Sequence, residues 1–247
     1  MAFNTKKYVK LFFILWTLAA CQKEVEVQSL EYEKKMFNNF KVLHSKTYRQ
    51  QGDKYLKVQT KLERYDSEKK EYQFRVYNAW DGYSNPKEYV IKYDSNIINN
   101  KEYLLEGDSL IYMQTRSLLD FDKSNGKQLS YKIDLASGHV NIYNFEYIDN
   151  GLLIQVTNAN GKILSEEKLI YDSLGRIISA YKKNTLNGNV EIYQSNHEYD
   201  DENKDGFWDI RHSKIKAIVN GERFEHIEKT ERTYTLLDST KRSAVID

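Results

Sequence analysis

The segment Asp201-Glu202-Asn203-Lys204-Asp205-Gly206-Phe207-Trp208-Asp209 places oxygen-bearing side chains in the pattern D-x-N-x-D-G-x-x-D. Calcium takes several hard oxygens at about 2.3–2.6 Å, and a loop supplies them from alternate positions when a glycine at the sixth permits a sharp turn. Here Asp201, Asn203, Asp205 and Asp209 would give side-chain oxygens and Phe207 a backbone carbonyl. A simple acidic hairpin needs only Asp205-Gly206. The extra positions in register therefore lead to the expectation of a structural calcium loop. Its job would be to neutralise clustered polar groups and pin a long connection. Extracellular calcium modules bind at about 10⁻⁴–10⁻³ M.

The loop resembles those of EF-hands, dockerins and integrin-type β-propeller repeats. It departs from the EF-hand at position 12, where His212 stands in place of the bidentate Glu. The shorter nine-residue form found in β repeats is unaffected. His197 and His212 flank the loop on the two sides of one hairpin; the remaining histidines are His44, His139 and His226. No HExxH, GxSxG or Walker pattern occurs, so these histidines have no recognisable catalytic frame.

Aromatic side chains are the second chemical resource. Trp80, Tyr83 and Trp208 fall in or beside turns, where a flat ring can stack on a sugar or a peptide. Covering the ends of a sheet is the plainer role for each. Three functional readings follow. The first is a non-catalytic envelope protein that binds a glycan or protein ligand. The second is a secreted hydrolase using the acidic cluster near residues 200–209, and the third is a structural subunit of an outer-membrane assembly. The balance leans away from an enzyme.

The N-terminus carries an address. Lys6, Lys7 and Lys10 precede an uncharged run from Leu11 to Ala20. That run is shorter than the about 20 apolar residues a membrane helix needs, but it suits a secretory signal. Leu18-Ala19-Ala20-Cys21 resembles the lipobox of bacterial lipoproteins. The resemblance implies cleavage after residue 20, a covalent lipid on Cys21 and attachment to a membrane. Several acyl chains, at about 0.8 kcal/mol per buried methylene, make a durable anchor. Gln22-Lys23-Glu24-Val25-Glu26 resembles the export tag of Bacteroidota lipoproteins destined for the outer membrane surface, with Val25 in place of an acid. Residues 21–28 would form the tether.

Without residues 1–20 the chain carries 34 Lys and Arg against 36 Asp and Glu. No basic patch with interleaved aromatics occurs, so nucleic acid is not an expected partner. Cys21 is the only cysteine, which excludes an intramolecular disulfide. Twenty tyrosines against one proline suit half-buried pleated surfaces.

The elements that must position these groups read as all-β, after one short helix. Tyr32, Met36, Phe37, Phe40 and Leu43 fall at helical spacing, giving an expected helix over 29–46. From Tyr55 the period becomes two: Leu56, Val58, Thr60 and Leu62 alternate with Lys57, Gln59, Lys61 and Glu63. Seven of the eleven glycines follow Asn or Asp, the strongest short-range hairpin signal. Asn220-Gly221 is a clear instance.

A longer period joins them. Tyr65-Asp66, Tyr93-Asp94, Phe121-Asp122, Tyr147-Ile148-Asp149, Tyr171-Asp172 and Tyr199-Asp200 recur at spacings of 28, 28, 26, 24 and 28 residues. Self-similarity on that scale predicts an antiparallel meander of degenerate repeats over 54–240. Tyr171-Asp172-Ser173-Leu174-Gly175-Arg176-Ile177 resembles the YD repeat of RHS-type proteins. That family builds β-hairpin sheets that curl into shells, and this chain is too short for such a shell. The resemblance implies hairpins and no activity.

Overall fold

Period-two alternation and tight Asn-Gly turns generate successive hairpins, and in the computed structural model these hairpins form one continuous sheet. The structure describes residues 40–79, 82, 86–96, 98–186, 189–200, 208–236 and 241–243. The first strands are β1 (Phe40–Gln51), β2 (Lys54–Asp66), β3 (Glu71–Asn78), β4 (Lys87–Tyr93) and β5 (Asn100–Glu106). They continue as β6 (Ser109–Phe121), β7 (Gln128–Leu135), β8 (Val140–Ile148), β9 (Gly151–Asn158) and β10 (Ile163–Tyr171). The last are β11 (Ile177–Leu186), β12 (Asn189–Asp200), β13 (Ile210–Val219), β14 (Glu222–Leu236) and the short β15 (Lys241–Ser243). Each strand pairs antiparallel with the next, and β1 also pairs with β14, from Phe40↔Leu236 to Arg49↔Glu228. Fourteen strands therefore close into a barrel, and β15 extends the sheet on β14.

The expected helix is corrected where the structure describes it. Residues 40–46 are the start of β1, held between β14 and β2. Phe40 and Leu43 fit a helical stripe, but Leu43 points into the barrel opposite Tyr234 and Glu63. Pairing on both sides overrides local spacing, as it commonly does for strands. Residues 29–39 lie outside the described residues, as does Cys21.

Because side chains alternate along each strand, the register divides the wall into two faces. Leu43, Glu63 and Phe74 share the inner face with Arg116, Phe145, Leu152, Val156, Ser213, Thr230 and Tyr234, most of them buried. About eight strands suffice for side chains to fill a barrel. Fourteen leave room, so inward residues such as Lys182 and Ile154 stay half-exposed. The outer face is laced with ion pairs: Arg75 with Glu88, Lys183 with Glu166, Lys214 with Glu225, and Lys92 with Glu71.

The six aromatic–acid pairs all lie at the ends of even-numbered strands, on the rim where β1 begins. In four of them the acid caps the turn that follows. Asp66 Oδ1 accepts from the amides of Glu68 and Lys69, and Asp94 accepts from those of Ile98 and Asn99. Asp122 Oδ1 accepts from the Ser124 amide, and Asp172 Oδ1 from those of Leu174 and Arg176. These are Asx turns, in which a short carboxylate substitutes for a backbone acceptor. On the opposite rim, Asn220 and Gly221 have φ of 52° and 83°, as a type I′ hairpin turn requires.

Candidate functional site

At the rim where β1 begins, the lumen holds a cavity of about 380 Å³ walled by β1–β4, β13 and β14 together with Trp208. Its construction follows from alternation. Gln59, Lys61, Glu63 and Tyr65 are successive inward residues of β2, and Tyr72 on β3 lies directly opposite Tyr65. The Tyr65 and Tyr72 rings stack with centroids 4.8 Å apart, and the stack continues through Phe74 to Tyr89. Glu63 Oε1 accepts from Lys61 Nζ at 2.8 Å, from the Tyr72 hydroxyl at 2.5 Å and from the Tyr65 hydroxyl at 3.3 Å. A buried carboxylate with three donors, one of them an ammonium, is a satisfied charge, as burial demands.

Facing it, Trp208 is 6% exposed and lies two residues before β13 begins. Its carbonyl accepts from the buried Tyr234 hydroxyl. The Arg232 guanidinium lies 3.4 Å and the Arg211 guanidinium 4.8 Å from the Trp208 ring centroid, with Tyr199 at 5.7 Å. Arg176 in turn stacks 4.6 Å from the Tyr199 ring and donates to Asp172 at 2.7 Å. The YD-like segment thus has a physical function in the fold. Its Asp shapes the turn, and its Arg joins a cation–π chain that ends at Trp208. Burial pushes the Tyr199 hydroxyl up in pKa, while Arg211, Arg232 and Arg176 pull it back.

Deeper in the lumen, His197 Nε2 meets Ser195 Oγ and Nδ1 meets Ser213 Oγ, both at 2.9 Å. Burial and Arg211 lower its pKa to about 4, so at neutral pH the ring is uncharged and occupied by two hydroxyls. His212 pairs with Glu198 on the outer face and contacts Asp200 at 2.9 Å. The two histidines flanking the loop are therefore on opposite faces of the wall and form no common site.

Among the binding residues expected from the sequence, Trp208 is described, and it is a buried lumen residue instead of an exposed turn residue. Burial follows from the inward carbonyl contact and the two stacked guanidinium groups. Trp80 and Tyr83 lie outside the described residues, as do the calcium-loop positions Asp201, Asn203, Asp205 and Phe207. Asp209 is described; its carbonyl accepts from the Arg232 amide at 2.8 Å. Among the described residues no group of three or more His, Cys, Asp or Glu is arranged to hold a metal. Lys61, Glu63, Arg211 and Arg232 were not singled out by sequence reasoning. Their alternation with apolar neighbours was the available signal, but it does not say which face meets solvent.

No protein-family model matches the chain, and no curated protein matches it. Among solved structures, the fold is similar to a porin-like protein from Bacteroides uniformis, 12% identical, with a TM-score of 0.45 over 79% of this chain and 97% of that one.

Proposed function

We propose that this chain is a non-catalytic cell-envelope lipoprotein, tethered through Cys21, whose barrel stands in water and binds a small ligand in its lumen. The observation that carries the reading is the aromatic-walled cavity of about 380 Å³ beside Trp208. Ligand sites are concave, of roughly 300–1,000 Å³, with flat apolar walls and a few convergent polar groups. The outer wall supports the aqueous setting. A lipid-embedded barrel carries an apolar outer band, and Lys or Arg at its midplane costs about 2–4 kcal/mol each. Lys183 on β11 and Lys214 on β13 instead lie within their strands on the outer face, paired with Glu166 and Glu225.

The Asp201–Asp209 segment, which contains Trp208, serves in this proposal as a structural calcium clip. Fractionation of the Cys21→Ser protein tests the tether and the water-facing wall together. The variant should lose fatty-acid labelling and be soluble and monodisperse without detergent. A variant that stays in the membrane or needs detergent would overturn the reading.

A further inference from the structure

Register places a row of neutral hydrogen-bonding side chains across the β1–β14 seam. Thr230 on β14 lies directly opposite Thr47 on β1, Thr47 opposite Gln59 on β2, and Gln59 opposite Asn78 on β3. All four are on the inner face, on strands about 4.8 Å apart. Thr47 and Thr230 share one hydrogen bond of 3.2 Å between their Oγ1 atoms, and Gln59 Nε2 donates to Asn78 Oδ1 at 3.0 Å. A hydroxyl has one donor and two acceptor positions, and an amide has two of each, so the row keeps capacity to donate and to accept. Two residues along β1 from Thr47, Ser45 is 9% exposed and lines the same cavity, and its hydroxyl meets no hydrogen-bond partner among the described residues. A buried hydroxyl left unpaired costs free energy, which a hydrogen-bonding ligand in the cavity would recover.

The charges of the cavity are already engaged. Lys61 Nζ donates to Glu63 and to the Tyr72 hydroxyl, and Arg211 and Arg232 stack on Trp208 and hold further partners. A charged ligand would lose its water on entry and could be compensated only by breaking one of these arrangements. A hydroxyl-bearing neutral ligand has no such cost, and each of its hydroxyls donates and accepts as the row does. Building on the proposed lumenal binding, we infer that the ligand is an uncharged polyhydroxylated ring, a neutral sugar, held by Ser45, Thr47, Thr230 and Gln59. The cavity of about 380 Å³ is in the range of small-ligand sites and suits a monosaccharide or disaccharide.

The test uses the full chain with Trp16→Phe and Trp80→Phe, which leaves Trp208 as the only tryptophan. Glucose, glucuronate and glucosamine, which share a ring and differ in charge, are titrated separately while Trp208 emission is followed. Glucose should change the emission and saturate, and the anionic and cationic sugars should each bind at least tenfold more weakly. Ser45→Ala should leave Tm unchanged, because its hydroxyl bonds no described residue. It should weaken glucose roughly three- to tenfold, the usual effect of losing one neutral hydrogen bond. Thr47→Val should weaken glucose by a similar factor, and Thr47→Ser should not. A charged sugar binding as tightly as glucose would overturn the neutral-ligand inference and leave lumenal binding intact. Glucose binding unchanged in both Ser45→Ala and Thr47→Val would overturn the assignment of its hydroxyls to these residues. No response to any of the three sugars would overturn the inference and lumenal binding together.

Discussion

Asp172→Ala removes the acceptor around which the β10–β11 turn is wound. The carboxylate accepts from the amides of Leu174 and Arg176, both at 2.9 Å, and from Arg176 Nε at 2.7 Å. Its side chain is 19% exposed and that of Arg176 16%. A hydrogen bond to a charged group contributes about 1.5–3 kcal/mol where water cannot replace it. At a rim turn water recovers much of that, so the net loss should be about 2 kcal/mol. For a barrel of this size that is a fall in Tm of about 4–8 °C. Asp172→Asn keeps an acceptor for the two amides but loses the charge facing Arg176, and should fall between the parent and the alanine variant.

The Asp172 effect also depends on pH. Burial tends to raise the Asp172 pKa, but the hydrogen bonds and charge of Arg176 with the Leu174 amide outweigh it and hold the group below the ordinary carboxylate range. A depressed folded-state pKa gives stability that is present above the unfolded value and disappears as pH falls through the folded one. The gap between parent and Asp172→Ala should therefore be full at pH 7 and shrink below about pH 4, the ordinary carboxylate range. Thermal melts followed by circular dichroism at pH 7 and pH 3 measure it. An unchanged Tm at pH 7, or an equal gap at both pH values, would refute the account of the YD-like turn.

Gly151→Ala should be strongly destabilising, because an added Cβ would lie 2.3 Å from the Leu169 carbonyl oxygen; a melt unchanged within error would show that β9 and β10 separate freely. His197 should remain neutral by NMR titration down to about pH 4. Since the unfolded imidazole takes up its proton first, near 6.5, this residue should erode stability as pH falls from about 6.5 to 4, and His197→Gln should remove that part of the pH dependence. Trp208→Ala should cost about 3–5 kcal/mol, the range for deleting a buried aromatic, and a near-neutral result in chemical denaturation would place the ring outside the packed lumen. Millimolar calcium should raise Tm, and Asp205→Ala should abolish the shift; no shift in the parent would rule out the calcium loop.

Strands and hairpins were readable because their signals are local. Leu56 to Glu63 alternate, Asn220-Gly221 turns, and Asp66, Asp94, Asp122 and Asp172 each cap the turn that follows them. Closure was not readable, since the seam joins Thr47 to Thr230, 183 residues apart, and no local pattern encodes such a partnership. The helix reading erred for the same reason: only β14 and β2 make Phe40 to Lys46 extended. The cavity stayed hidden because polar alternation looks alike toward solvent and toward a wide lumen. Gln59, Lys61 and Glu63 face inward on β2, whereas on β3 it is the apolar set, Tyr72, Phe74 and Val76, that faces inward.

The β1–β14 seam also sets the order in which the molecule can assemble. Every other pairing joins neighbours in the chain and can form as soon as a hairpin is made. Closing the seam encloses a loop roughly three doublings longer than a hairpin, an added entropy of about 2 kcal/mol at about 0.6 per doubling. The open, curled sheet is then the natural precursor, and ring closure its final and slowest step. Ser45, Thr47, Thr230 and Arg232 belong to the seam strands and line the cavity, so the cavity is completed only at that last step. Pulsed hydrogen exchange during refolding should accordingly protect the β8–β11 amides before those of β1.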